Sequence, residues 1–194
     1  MVESHAPVLE MLWEAHDPRR ALEERFGFSG GESAGRWVAA TLDERWGVGV
    51  CSCERIVISG HNALAWVRTP SGRLLAKWSV APERFPHLSE MARLTHWLHD
   101  QGLPVSVPVP ALDGRLQVEG NGTSMCLQRE IKGDLLDTAD PDQVRAAGAV
   151  LARLQDALAA YPDAGRVAAL AGGPSKPLPA RITGWLDSRA EHVP

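Results

Sequence analysis

Residues 54–78 read as three short strands joined by two tight turns, and the third strand carries a lysine in an otherwise apolar run. Glu54-Arg55-Ile56-Val57-Ile58-Ser59 is the first strand, Gly60-His61-Asn62 the connection, and Ala63-Leu64-Ala65-Trp66-Val67-Arg68 the second. Thr69-Pro70-Ser71-Gly72 turns the chain into Arg73-Leu74-Leu75-Ala76-Lys77-Trp78. Three lysines (Lys77, Lys132, Lys176) stand against seventeen arginines, so a lysine on a half-buried strand marks a place where a compact point charge replaces the habitual cation. An ammonium group is strongly hydrated and costly to bury without an anionic partner. Two partners fit Lys77: a carboxylate on a neighbouring helix and a phosphate. The plain alternative is an edge-strand lysine that snorkels to solvent. A glycine at the first connection lets backbone N–H groups approach phosphates closely, although an ordinary hairpin needs the same residue.

The chain breaks at residues 82–86, and a helical pattern follows from about His87 to Gln101, with Gly102 as its stop. Leu88, Met91, Leu94, Thr95 and Leu98 recur at helical spacing as its inner face. Glu90 lies at the edge of that face, near the helix start, where the dipole favours a carboxylate. It is placed either to reach back toward Lys77 or to pair on the surface with Arg93. Residues 116–118 and 123–130 predict a hairpin across Gly120-Asn121-Gly122. Asp140-Pro141-Asp142-Gln143 opens a further helix whose stripe of Val144, Ala147, Leu151, Leu154 and Leu158 predicts core packing. Residues 163–179 read as a Gly/Pro-rich loop with a short turn at 166–170, and residues 180–191 as a last helix. Gly172-Gly173-Pro174-Ser175-Lys176 lacks both the spacing and the preceding strand of a phosphate loop.

Ahead of the strands, residues 7–14 predict a short helix. Asp17-Pro18 starts a second that closes at Gly27, and residues 32–46 form a third that ends at Gly47, with Trp37, Val38, Leu42 and Trp46 in phase. These helices are expected to pack on the sheet or to meet another subunit.

The ordered set of strand, glycine turn, strand, lysine strand and glutamate helix resembles the small lobe of the protein-kinase-like fold. Its finer texture resembles the aminoglycoside phosphotransferase family. Glu90-Met91-Ala92-Arg93-Leu94-Thr95-His96-Trp97-Leu98, then Gly102-Leu103-Pro104-Val105 and Pro108-Val109-Pro110, is similar to that family's glutamate helix and the proline-rich stretch after it. Met125-Cys126-Leu127-Gln128-Arg129-Glu130-Ile131-Lys132-Gly133 is similar to its hinge. Leu151-Ala152-Arg153-Leu154-Gln155 resembles its Leu-Ala-x-Leu-His helix, with Gln155 where histidine is usual. The resemblance implies that Lys77 holds nucleotide phosphates, Glu90 orients Lys77, Gly60, His61 and Asn62 cover the phosphates, and Arg129, Glu130 and Ile131 present backbone groups to the base. It implies ATP or GTP with Mg²⁺ as cofactor and a small-molecule hydroxyl as acceptor. The family's H-G-D loop with its following Asn, and its metal-binding Asp, have no counterpart in this sequence. The chain therefore reads as the front part of a phosphotransferase, with no catalytic or metal-binding residue assigned. A non-catalytic kinase-like nucleotide-binding or regulatory module is the alternative, and a domain in which Lys77 and Glu90 form a structural ion pair is a third.

The net charge of −4 and the absence of a basic run give no reason to expect nucleic acid. No apolar stretch is long enough to span a bilayer and no signal peptide opens the chain, so the cytoplasm is the default compartment. Three cysteines cannot all pair; Cys51-Ser52-Cys53 has no second C-x-C or C-x-x-C to complete a metal site, which favours free thiols. The expected architecture is α+β: an N-terminal helical segment (1–48), a kinase-like small lobe of antiparallel sheet plus one helix (49–131), and the first helices of a large lobe (132–194). Oligomeric state is not legible.

Overall fold

A computed structural model describes residues 6–170 of the chain. The Gly172–Lys176 run and the helix expected at 180–191 lie outside the described residues. Among the described residues, one sheet carries β1 (Val8–Met11), β2 (Ser52–Ser59), β3 (Asn62–Thr69), β4 (Gly72–Ser79), β5 (Pro108–Val109), β6 (Val118–Gly120) and β7 (Thr123–Arg129). The order is β1-β2-β3-β4-β7-β5, with β6 also on β7. Every pairing is antiparallel except β1 with β2. The helices are α1 (Pro18–Phe26), α2 (Gly31–Trp46), α3 (Phe85–Asp100), α4 (Pro141–Ala159) and α5 (Ala164–Leu170). The architecture is α+β, as the sequence predicts.

Residues 7–14 depart from the predicted helix. Val8–Met11 instead pairs with β2, Val8 opposite Arg55 and Met11 opposite Ile58. The outer edge of β2 offers unpaired backbone groups, and a four-residue segment gains more from that ladder than from one unsupported helical turn. Alternation then places Leu9 and Met11 against the core while Glu10 reaches Arg55 at 2.5 Å.

α1 and α2 form where the caps predict. The Asp17 carboxylate accepts from the Arg20 N–H at 2.8 Å, Pro18 opens the helix, and Gly27 closes it at φ +74°, a conformation that costs glycine little. Both helices lie on one face of the sheet. Ala21 and Leu22 of α1, and Ala34, Val38, Leu42 and Trp46 of α2, share a core with Ile56, Ile58, Ala63, Ala65, Val67, Leu74, Ala76 and Trp78. Trp78 is held between Phe26 and Trp37, with ring centroids at 6.0 and 5.5 Å. Packing on the sheet is thus the role these N-terminal helices take.

The opposite face of the sheet meets α3. Beyond it, Leu94, Leu98, Leu103 and Tyr161 form a satellite cluster joined by Trp97, Leu154, Ala157 and Val167. α4 forms as predicted, with the Asp140 carboxylate accepting from the Asp142 and Gln143 N–H groups. Its stripe is not the expected core, however: Val144, Leu151 and Leu158 are 44%, 55% and 39% exposed, and only Leu154 and Ala157 reach the satellite cluster. Periodicity fixes the helix but does not supply the surface that buries it.

Candidate nucleotide site

The face of the sheet turned toward α3 is built from alternate residues of four strands. Register aligns them in three rows. Ser59, Asn62, Ser79 and Ser124 form the row nearest the β2–β3 turn. Val57, Leu64, Lys77 and Cys126 form the middle row, and Arg55, Trp66, Leu75 and Gln128 the row nearest the hinge. One end of this floor is hydroxyl and amide, the centre is apolar around one ammonium group, and the far end carries an indole.

α3 and the 3₁₀ turn before it (Pro82–Arg84) roof the floor. Arg84, His87, Leu88, Met91, Ala92 and Thr95 line the roof at helical spacing, and the space between holds about 520 Å³. Among the described residues, no aspartate or glutamate lines this cavity. Its basic residues differ in their commitments. Arg55 pairs with Glu10 at 2.5 Å and lies 4.8 Å from the centre of the Trp66 ring. Lys77 and Arg84 enter no ion pair among the described residues. Burial pushes the Cys126 thiol up to about 11, against the opposing pull of the Lys77 charge in the register position beside it.

Lys77 therefore lies on the α3 side of the sheet, but the structure does not bring Glu90 to it. Glu90 is 2% exposed and turns to the neighbouring face of α3, where Arg93 and Arg166 hold both carboxylate edges, Arg166 at 2.7 Å. The hydrogen bond from Arg93, then the charges of Arg93 and Arg166, keep its carboxyl below the usual carboxylate range. Two planar guanidinium forks, one three residues along the same helix and one from α5, offer the geometry a carboxylate fits best. The row of α3 that faces Lys77 carries His87, Met91 and Thr95 and no acid.

The glycine turn is also differently engaged. Gly60 takes φ +53°, as a two-residue hairpin turn needs. Its N–H donates to the Glu14 carboxylate at 2.8 Å, and its carbonyl accepts from Arg25 at 3.3 Å. The His61 carbonyl accepts from the Val80 N–H at 3.0 Å and from the Ser79 hydroxyl at 3.3 Å. Of the three turn residues, Asn62 lines the cavity. At the hinge, the Arg129 N–H donates to the Val107 carbonyl at 3.1 Å and its carbonyl accepts from the Ser106 hydroxyl at 2.7 Å. That leaves the segment after β7, Glu130 and the exposed Ile131, as the part of the hinge clear of those bonds.

Sequence reasoning passed over Arg84 and His87, which line the cavity, and Glu14 and Arg25, which hold Gly60 at its edge. Arg84 and His87 fall in and just after a proline-flanked break, which masks them as a helix start. Glu14 and Arg25 act on Gly60 from 46 and 35 positions away, and no local signal marks such a contact. Among the described residues no group of three or more His, Cys, Asp or Glu side chains is arranged to hold a metal ion, and no helix is long and apolar enough to cross a membrane.

No curated protein sequence matches this chain. Among solved structures, the spectinomycin phosphotransferase APH(9)-Ia, crystallised in complex with ADP and spectinomycin, is 17% identical, with a TM-score of 0.42 over 50% of this chain and 29% of that one. This chain thus spans under a third of the length of that protein. The family model for the phosphotransferase enzyme family, APH, matches residues 54–191; β1, α1 and α2 precede the match, while the whole cavity floor, Lys77 and α3 fall within it. With most of its length matched, the chain belongs to the phosphotransferase enzyme family.

Proposed function

We propose that the cavity between the sheet and α3 binds a nucleoside triphosphate, ATP or GTP, as the nucleotide-binding part of a small-molecule phosphotransferase whose acceptor is a hydroxyl. The observation that carries this reading is Lys77: a cation on the floor of a cavity with no carboxylate among its described lining residues. Lys77 is exposed to the cavity and enters no ion pair among the described residues, so its ammonium group is available to an anion that enters the cavity. The volume fits the group, since small-molecule pockets hold about 300–1,000 Å³. The Trp66 and Gln128 end offers a flat surface and an amide for a base, and the Glu130–Ile131 backbone lies just beyond it. Mg²⁺ would accompany the nucleotide and neutralise phosphate charge as it does across phosphoryl-transfer enzymes.

In this reading Lys77 holds the phosphates, Asn62 and the Ser59 hydroxyl border them, and the β2–β3 turn closes that end. Glu90 can orient Lys77 only by leaving Arg93 and Arg166. That requirement favours a second reading, a nucleotide-binding module without catalysis, because the lysine–glutamate pair must form for a kinase site to be competent.

The test is a melting curve of the chain with ATP–Mg²⁺ and with GTP–Mg²⁺. A ligand that binds only the folded state adds about 2.7 kcal/mol at a hundredfold excess over Kd. A rise in Tm with either nucleotide is expected, and unchanged melting at millimolar concentrations of both overturns the reading. Nucleotide hydrolysis or transfer to an added aminoglycoside then separates the enzyme from the silent module.

A further inference from the structure

The cavity is polarised in a way that one lysine does not explain. Its hinge end holds Trp66 and an arginine already neutralised by Glu10. Lys77, in the middle row of the floor, and Arg84 in the roof enter no ion pair among the described residues. Arg84 follows the last residue of β4, Ser79, by five positions, and the Val80 N–H is tied to the His61 carbonyl at 3.0 Å. The 3₁₀ turn is therefore fastened beside the β2–β3 turn, at the hydroxyl row of the floor. His87 enters the same end from the first turn of α3, and its Nδ1 is buried without a hydrogen-bond partner. In a chain with 24 acidic and 20 basic residues, the described lining of this cavity holds no acid and gathers Lys77, Arg84 and His87.

We propose that Arg84 and His87 form, with Lys77, a grip for the terminal phosphate of the nucleotide, so that the cavity distinguishes a triphosphate from its shorter relatives. This rests on the nucleotide reading above and adds to it which residues select phosphate number. The chemistry divides the work. Lys77, fixed on a strand, is a point charge at the centre of the floor. Arg84, exposed and on a turn, brings a planar fork that meets two phosphate oxygens at once. His87 contributes a ring nitrogen as donor from the roof.

The experiment is calorimetric titration of the full chain with ATP, ADP, AMP and adenosine, Mg²⁺ present, for the wild type and for Arg84→Ala, Arg84→Lys and His87→Ala. Wild-type affinity is expected to fall with each phosphate removed. Arg84→Ala is expected to weaken ATP about tenfold and leave adenosine unchanged, as the loss of a charge-assisted hydrogen bond implies. Arg84→Lys is expected to recover part of the loss, and His87→Ala to weaken ATP severalfold. Circular dichroism of each variant checks that the fold is kept. Equal losses for ATP and adenosine, or none for ATP in a chain whose wild type binds it, would overturn the grip while leaving the nucleotide reading intact. A wild type that binds no ATP removes the nucleotide reading, and the grip with it.

Discussion

Glu14 accepts a hydrogen bond from the backbone N–H of Gly60 at 2.8 Å, while Arg25 holds Glu14 at 2.6 Å and reaches the Gly60 carbonyl. An ion pair from the N-terminal segment thus holds both backbone polar groups of Gly60, in the turn that borders the candidate phosphate site. Glu14→Ala is expected to speed hydrogen exchange at the Gly60 amide and to leave exchange in α2 unchanged. The pH dependence follows from charge. The Arg25 hydrogen bond, then that from Gly60, lowers the Glu14 carboxyl to about 2. A carboxyl depressed in the fold stabilises it fully above the unfolded value and loses that contribution as pH falls through the folded one. Protection at Gly60 should therefore persist through pH 4 and fade only near pH 2; loss at pH 4–5 would show that Glu14 is not held by Arg25 in solution.

Lys77→Met keeps the aliphatic stem and removes the charge. Lys77 is exposed on the cavity floor and pairs with no described residue, so Tm should barely change. A charge-assisted hydrogen bond is worth roughly 1.5–3 kcal/mol, so ATP affinity should drop about tenfold or more. Titration calorimetry of wild type and variant decides; equal affinities would take Lys77 out of the site.

Glu90 ties α3 to α5 through Arg93 and Arg166, although it is almost fully buried. Glu90→Gln should loosen that tie, lowering Tm and raising exchange in residues 164–170. In the wild type, the hydrogen bond from Arg93 and the charges of both arginines depress the Glu90 carboxyl. Its contribution is then complete above the ordinary carboxylate range and is lost only below it, as pH falls through the depressed value. An acid titration in which α5 amides lose protection at or above pH 4.5 would contradict the pairing.

Local chemistry made the strands, caps and turns readable: Asp17, Gly27, Gly47, Gly60 and Asp140 each specify a backbone conformation within a few residues. Lys77 was readable for the same reason, as an anomalous cation in an alternating strand. What the sequence did not disclose depends on competition among distant groups. Val8–Met11 is a strand because β2 has a free edge; of the two partners the sequence left open for Glu90, Arg93 is the one it takes, and Arg166, far along the chain, is the addition no local signal marks. The stripe of α4 shows the converse limit, since an amphipathic pattern states which side is apolar and not what meets it.

The helices that precede the matched family region pack on a sheet face that lies within it. Trp78 of β4 is 1% exposed, and its ring contacts are Phe26 of α1 and Trp37 of α2. If these helices are integral to the lobe, Trp78→Ala should cost about 3–5 kcal/mol, as other large buried aromatic truncations do. Trp78→Phe should cost less, because it also removes an indole N–H that is buried without a partner. A chain lacking residues 1–48 bares Ile56, Ile58, Ala65, Val67 and Trp78 on one sheet face and should lose cooperative unfolding. Urea unfolding followed by far-ultraviolet circular dichroism measures all three. A shortened chain that unfolds with the midpoint of the full one would make α1 and α2 an appendage, and the grip of Glu14 and Arg25 on Gly60 would then have no structural consequence for the cavity beneath it.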